Sequence, residues 1–164
     1  EEGYDQSIER ILTGMIFLSG NELAGERLQV AWDTKEQEDE HSCFSDMSHQ
    51  DVVYDALGLQ NIYRGQYVRL DGTTLSGPSL RQLAELVQPD LVPGLDAKID
   101  GTLAAARAIP VPFDQAILGG DDAPGRQAVM KTITTAEDQS ALLRRFARAL
   151  QIQIPEQPAG DIAG

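Results

Sequence analysis

The run SIERILTGMIFLSGNELAGERLQVA, residues 7 to 31, decides the fold. Its apolar residues fall at Ile8, Ile11, Leu12, Met15 and Leu18, then at Leu23 and Val30. That spacing follows one face of a helix and not the alternation of a strand. Ser7 is placed to cap it, although Arg10 stands where a capping box would carry an acid. The next segment repeats the pattern with better start and stop signals. Ser48 precedes Asp51 by three, Met47 and Val52 can form a staple, and Gly65 follows Tyr63-Arg64 as a stop.

Further out, residues 79–88 read as a short amphipathic helix stopped by Pro89. Residues 95–109 form another, with Leu95, Ile99, Leu103 and Ala106 on one side. The last long helix spans 127–152 and carries Val129, Ile133, Leu143, Phe146 and Leu150. The stretch QYVRLDGTTLSGP, residues 66–78, reads as a loop, with Val68-Arg69-Leu70 too short for a strand. Residues 110–124 read as an irregular connection. The expected architecture is all-α: an up-and-down helical bundle of about four main helices plus short ones. It occupies residues 1–154, and a Pro-, Ala- and Gly-rich tail, 155–164, is expected to be flexible.

Composition narrows the function classes. The chain has 164 residues, 41% of them apolar, with 26 acidic and 13 basic side chains and a net charge of −13. Such a chain can bury a real core. The acid excess argues against nucleic acid and anionic membrane surfaces, which need clustered Lys and Arg. No apolar run approaches the ~18 residues of a membrane span. The single cysteine, Cys43, allows no internal disulfide. The chain opens on Glu1-Glu2 without Met, as expected of a trimmed or cut end.

Two constellations could carry chemistry. On a wheel of about 100° per residue, the stripe Ile8, Leu12, Met15 continues to Ser19, Glu22 and Glu26. Two carboxylates then point where a core should be, which requires Arg27, Arg64 or another cation, or else a polar cavity. The alternative is a helix that rotates or leaves the bundle near residue 20. The second constellation is EDEHSCFSD, residues 38–46. Glu38-x-x-His41 has a spacing used in helical metal sites, and its donors suit zinc or iron. The alternative is an exposed acidic turn, with Glu36, Asp39 and Glu40 on a solvated face. Ser42, Ser45, Asp46 and Ser48 read as turn and cap residues, Cys43 as a small buried residue, and His49 as surface or packing. No HExxH, G-x-S-x-G, P-loop or GxGxxG occurs, and Asp121-Asp122 lacks EF-hand spacing.

Three ordered blocks carry a resemblance: LSGNELAGERL (18–28), QEDEHSCFSDMSHQD (37–51) and GLQNIYRGQY (58–67). Together they resemble the imelysin family, bacterial cell-envelope proteins also described as insulin-cleaving-metalloproteinase-like or iron-regulated. The resemblance implies two helical bundles in one polypeptide, with this chain as the C-terminal one. It implies a periplasmic or outer-membrane-associated location, a role in iron acquisition alongside iron-uptake components, and an N-terminal bundle as partner. The family's Gly-x-His-x-x-Glu motif belongs to that other bundle. No His-x-x-Glu occurs here, since Phe44 lies three after His41 and Val52 three after His49. By the resemblance, Glu22, Glu26, Glu38, His41, Ser42 and Asp46 line this half of a polar cleft that binds a metal or iron-containing ligand. A metallopeptidase is the alternative. Met47-Ser48 stands where members often carry Asn-Thr and keeps a capping residue.

Overall fold

The computed structural model describes residues 3–155, so most of the expected tail lies outside the described residues. The first rod is continuous: α1 (Tyr4–Phe17), a π-helical segment (Leu18–Gln29) and α2 (Val30–Thr34). It starts after Gly3, with Ser7 inside the helix, and ends at Lys35 in the left-handed region. A short 3₁₀ turn (Gln37–Asp39) and a loop lead to α3 (Ser48–Arg64), which Gly65 stops at φ 63°. Then come β1 (Gln66–Val68), β2 (Thr74–Ser76), α4 (Leu80–Val87), α5 (Val92–Arg107), α6 (Phe113–Ala116) and α7 (Pro124–Ala149). The rod, α3, α5 and α7 form the bundle. Helix α7 packs on both the rod and α5, and α5 packs on α3. No helix is long and apolar enough to cross a membrane among the described residues.

The π segment overturns the helical wheel. Its bonds run from i to i+5, so each turn is wider than 3.6 residues and the buried face slips along the sequence. Leu23, Ala24, Leu28 and Ala31 are fully buried, while Glu26 and Val30 are exposed. Burying Glu26 unpaired would cost several kcal/mol; the wider turn avoids that and brings Leu28 inward instead.

The core is in two parts. One contains Leu23, Leu28, Val52, Ala56, Leu103 and Ile133; the other contains Leu12, Ile16, Leu59, Leu95, Ile99 and Phe146. Buried Ser19, Thr102, Gln139 and Ser140 lie between these apolar runs along their helices. Two of them tie the rod to α7 reciprocally: Ser19 Oγ donates to the Ala136 carbonyl at 2.7 Å, and Ser140 Oγ to the Ile16 carbonyl at 3.0 Å. The three hydroxyls satisfy themselves on backbone carbonyls, whereas Gln139 Nε2 is buried without a partner among the described residues.

The expected loop 66–78 is corrected to a hairpin, with Val68 opposite Thr74. Its turn places Gly72 at φ 82°, and Asp71 accepts hydrogen bonds from the Thr73 amide at 2.9 Å and hydroxyl at 2.6 Å. Those bonds hold the Asp71 carboxyl below its usual range. Every strand residue is exposed, so no alternation marks the strands. Helix α6 falls within the expected irregular connection, and α7 begins at Pro124 because proline suits the first helical position.

Candidate functional site

The loop 35–47 crosses the N-terminus of α3 and is stitched to it by polar bonds. The Ser42 amide donates to Ser48 Oγ at 3.0 Å and the Ser42 hydroxyl donates to Asp51 Oδ2, while Gln37 Nε2 donates to Asp46 Oδ1 at 3.0 Å within the loop. Met47 is the residue before the helix and Ser48 the first within it; Ser48 is buried and serves the loop rather than the helix end. Asp46 takes a positive φ of 53°, which turns the chain into α3.

One polar cluster lies between this loop, the π segment and α3. Arg27 donates to Glu22 across 3.3 Å, with both side chains about half-exposed. Residues five apart do not share a face in an α-helix; the wide turns of the π segment align them. Asp55 on α3 is the centre of the cluster, in electrostatic reach of His41, Asp51, Arg27 and Glu22. Burial raises the Asp55 pKa, His41 and Arg27 oppose the rise, and Asp51 and Glu22 add to it. No hydrogen bond reaches Asp55 among the described residues.

A second cluster lies on another flank of the α3 start. Glu40 is only 6% exposed, which corrects the expectation of a solvated face. Burial raises its pKa, the Ser48 hydroxyl opposes this, and Asp114 and Asp46 add to it. The loop closes over Glu40 because the serine bonds above dock residues 42–48 onto α3.

The other candidates are dispersed. Glu26 and Glu38 are exposed, Glu38 within the 3₁₀ turn, and among the described residues neither is bonded to Glu22 or His41. His41 is exposed beside Asp55, His49 is half-buried, and Cys43 is a half-buried free thiol. Among the described residues no three His, Cys, Asp or Glu side chains converge to hold a metal ion. A zinc or iron centre complete within Glu22, Glu26, Glu38 and His41 therefore does not fit. Asp55 escaped the sequence reading, and Asp51 entered it only as part of the start signal of α3. Their i, i+4 spacing in the first half of α3 was the available signal, but it is common on solvated helix faces.

Asp55 carries a stability cost that its substitution exposes. Its folded pKa is raised, so its stabilising contribution is complete in acid and is lost as pH rises through the folded value. Asp55→Asn is expected to match the wild type in acid and to exceed it in thermal stability once pH passes the raised carboxylate range. Melting curves from pH 3 to 8, a span of about five units around the ordinary carboxylate value, check this; a constant difference at all pH values would contradict it.

A family model described as Imelysin, with the designation Peptidase_M75, matches residues 2–143. No curated protein matches the chain.

Proposed function

From the premise that this chain belongs to the imelysin family, we propose that it is a binding module of the bacterial cell envelope, acting in iron acquisition. Its ligand is a metal or iron-containing compound, held at the rim formed by Glu22, His41, Asp51 and Asp55. The observation that supports this is Asp55: a half-buried carboxylate without a hydrogen-bond donor among the described residues, in electrostatic reach of two further acids, one imidazole and the Arg27 guanidinium. Such a group is costly until a cation or donor meets it. Arg27 already supplies one positive charge to Glu22, and a partly exposed pair of that kind is worth ~1 kcal/mol or less. A ligand can therefore displace or join it at small cost. The rim is open, so the ligand's remaining contacts come from its own donors or from the N-terminal bundle of the same polypeptide.

Calorimetric titration of ferric iron, zinc and haem into the intact two-bundle protein tests the proposal. Saturable binding of one of them is expected. His41→Ala and Asp55→Asn should each weaken it about tenfold, equivalent to ~1.4 kcal/mol. Failure of all three ligands to bind would overturn it. The family designation motivates a second reading, a metallopeptidase. That chemistry needs a metal with an open position and a general base. Chelator-sensitive peptide cleavage lost in His41→Ala would favour it over the binding module.

A further inference from the structure

A groove of about 560 Å³ lies between α3, the hairpin and the end of α5. Its α3 wall is Tyr54, Leu57, Gly58 and Asn61, the i, i+3, i+4, i+7 spacing of one helix face. Tyr67 and Val68 of β1 stand opposite. Asn61 and Tyr67 also line a second hollow of about 350 Å³, which reaches Ile62 and Leu75. The two hollows therefore form one cleft with Asn61 and Tyr67 at the joint.

Gly58 lies in the interior of α3, where glycine costs about 1 kcal/mol relative to alanine. A Cβ added there would meet no atom within 4 Å, and its φ lies outside the left-handed region. Neither crowding nor backbone geometry requires this glycine; its missing side chain provides depth in the groove. Arg107, the last residue of α5, is the one charged group lining the cleft. Among the described residues it makes no hydrogen bond or ion pair, and the side chains of Tyr54, Asn61 and Tyr67 are likewise unengaged. The chain holds 26 acids against 13 bases, yet no carboxylate lines either hollow. Apolar and aromatic walls with a few free polar groups, in a volume of roughly 300–1,000 Å³, are the usual form of a small-molecule site.

The distribution of charge sets the ligand class. A single guanidinium matches one carboxylate, which it holds through two parallel hydrogen bonds. A site for a polyanion would gather several cations. No charged group lines the second hollow, so the part of a ligand that reaches it is apolar. We propose that the cleft binds an elongated monocarboxylic acid, with its carboxylate on Arg107 and its hydrocarbon body running over Gly58 and past Tyr67 towards Leu75. None of Glu22, His41, Asp51 and Asp55 lines the cleft, so this site does not depend on what the rim binds.

Calorimetric titration of octanoate and of octanol into the intact protein tests the proposal. Saturable binding of one equivalent of octanoate is expected, about tenfold tighter than octanol, equivalent to ~1.4 kcal/mol. Arg107→Gln should remove that preference and leave octanol binding unchanged. Gly58→Leu should block both ligands, and leucine is the better helix former, so the fold is kept. Absence of saturable octanoate binding, equal affinity for acid and alcohol, or octanoate binding that survives Gly58→Leu would each overturn the proposal. A change from dimer to monomer in Gly58→Leu, read by sedimentation, would also overturn it by assigning the groove to a second copy of the chain.

Discussion

Replacing Arg126 by alanine is expected to destabilise the bundle by about 4 kcal/mol, the sum of several losses. Arg126 is 1% exposed. Its Nη1 donates to the Trp32 carbonyl at 2.7 Å and the Ile117 carbonyl at 2.9 Å, and its Nη2 donates to Asp121 at 2.9 Å. The guanidinium carbon lies 3.8 Å from the centroid of the Trp32 ring, and the Trp32 indole donates back to the Arg126 carbonyl at 3.2 Å. Trp32 lies in the closing turn of the first rod and Ile117 ends α6, so one cation serves the negative ends of two helices. Asp121 is 77% exposed, so its ion pair contributes little. Removing the side chain leaves two carbonyls unsatisfied, at ~1–3 kcal/mol each. It also removes a desolvated cation–π contact of ~2 kcal/mol. Lysine keeps the charge but not the planar fork, so Arg126→Lys should recover less than half. Urea unfolding measures both. A shift of the midpoint with unchanged slope is the expected form, and a loss below ~1.5 kcal/mol for alanine would show that the clamp is dispensable.

Gly20→Ala is expected to cost about 2–3 kcal/mol, as overpacking does. A methyl at Gly20 would stand 2.7 Å from Ser140 Oγ and 2.9 Å from Ser140 Cβ. The rod and α7 must then separate, and the reciprocal bonds of Ser19 and Ser140 lengthen together. The double-mutant cycle is specific. In a Ser140→Gly background, Gly20→Ala should cost less than ~1 kcal/mol, because both colliding atoms are gone. Equal costs in the two backgrounds would mean that the close approach is not what requires glycine. Gly20 sits near the start of the π segment, so the same substitution should also disturb the Glu22–Arg27 pair.

These two positions show where sequence reading reaches its limit. The 3.6-residue period was legible through Ile8, Leu12 and Met15, and those predictions hold because the rod is α-helical up to Phe17. Past Leu18 the same rule sent Glu26 to the core, although nothing in the local sequence declares a change to i→i+5 bonding. The reason for that change involves other elements: Leu28 and Ala31 find space against α7, and Ser19 and Gly20 meet Ala136 and Ser140. The hairpin was missed for the opposite reason. Its residues are all exposed and carry no pattern of burial for a sequence to record.

The candidate site divides in the same way. The sequence singled out residues 38–46 by composition, and the structure sets that loop across α3. It named His41, Ser42 and Asp46 within it, and Ser48 and His49 at the start of α3. It assigned Glu40 to solvent, took Asp51 only as part of a helix start and passed over Asp55, because whether a carboxylate on a loop or helix is buried depends on what folds over it.

The amino-acid sequence by itself determined the main helices, their stop signals and the family, because each is written in short ordered blocks of residues along the chain. The tertiary structure alone decided which acids are dry and which pairs meet. Arg27 with Glu22 and Ser42 with Asp51 are brought together by the width of a helical turn and by a loop lying across α3. Both are set by the packing of the whole bundle rather than by local preference.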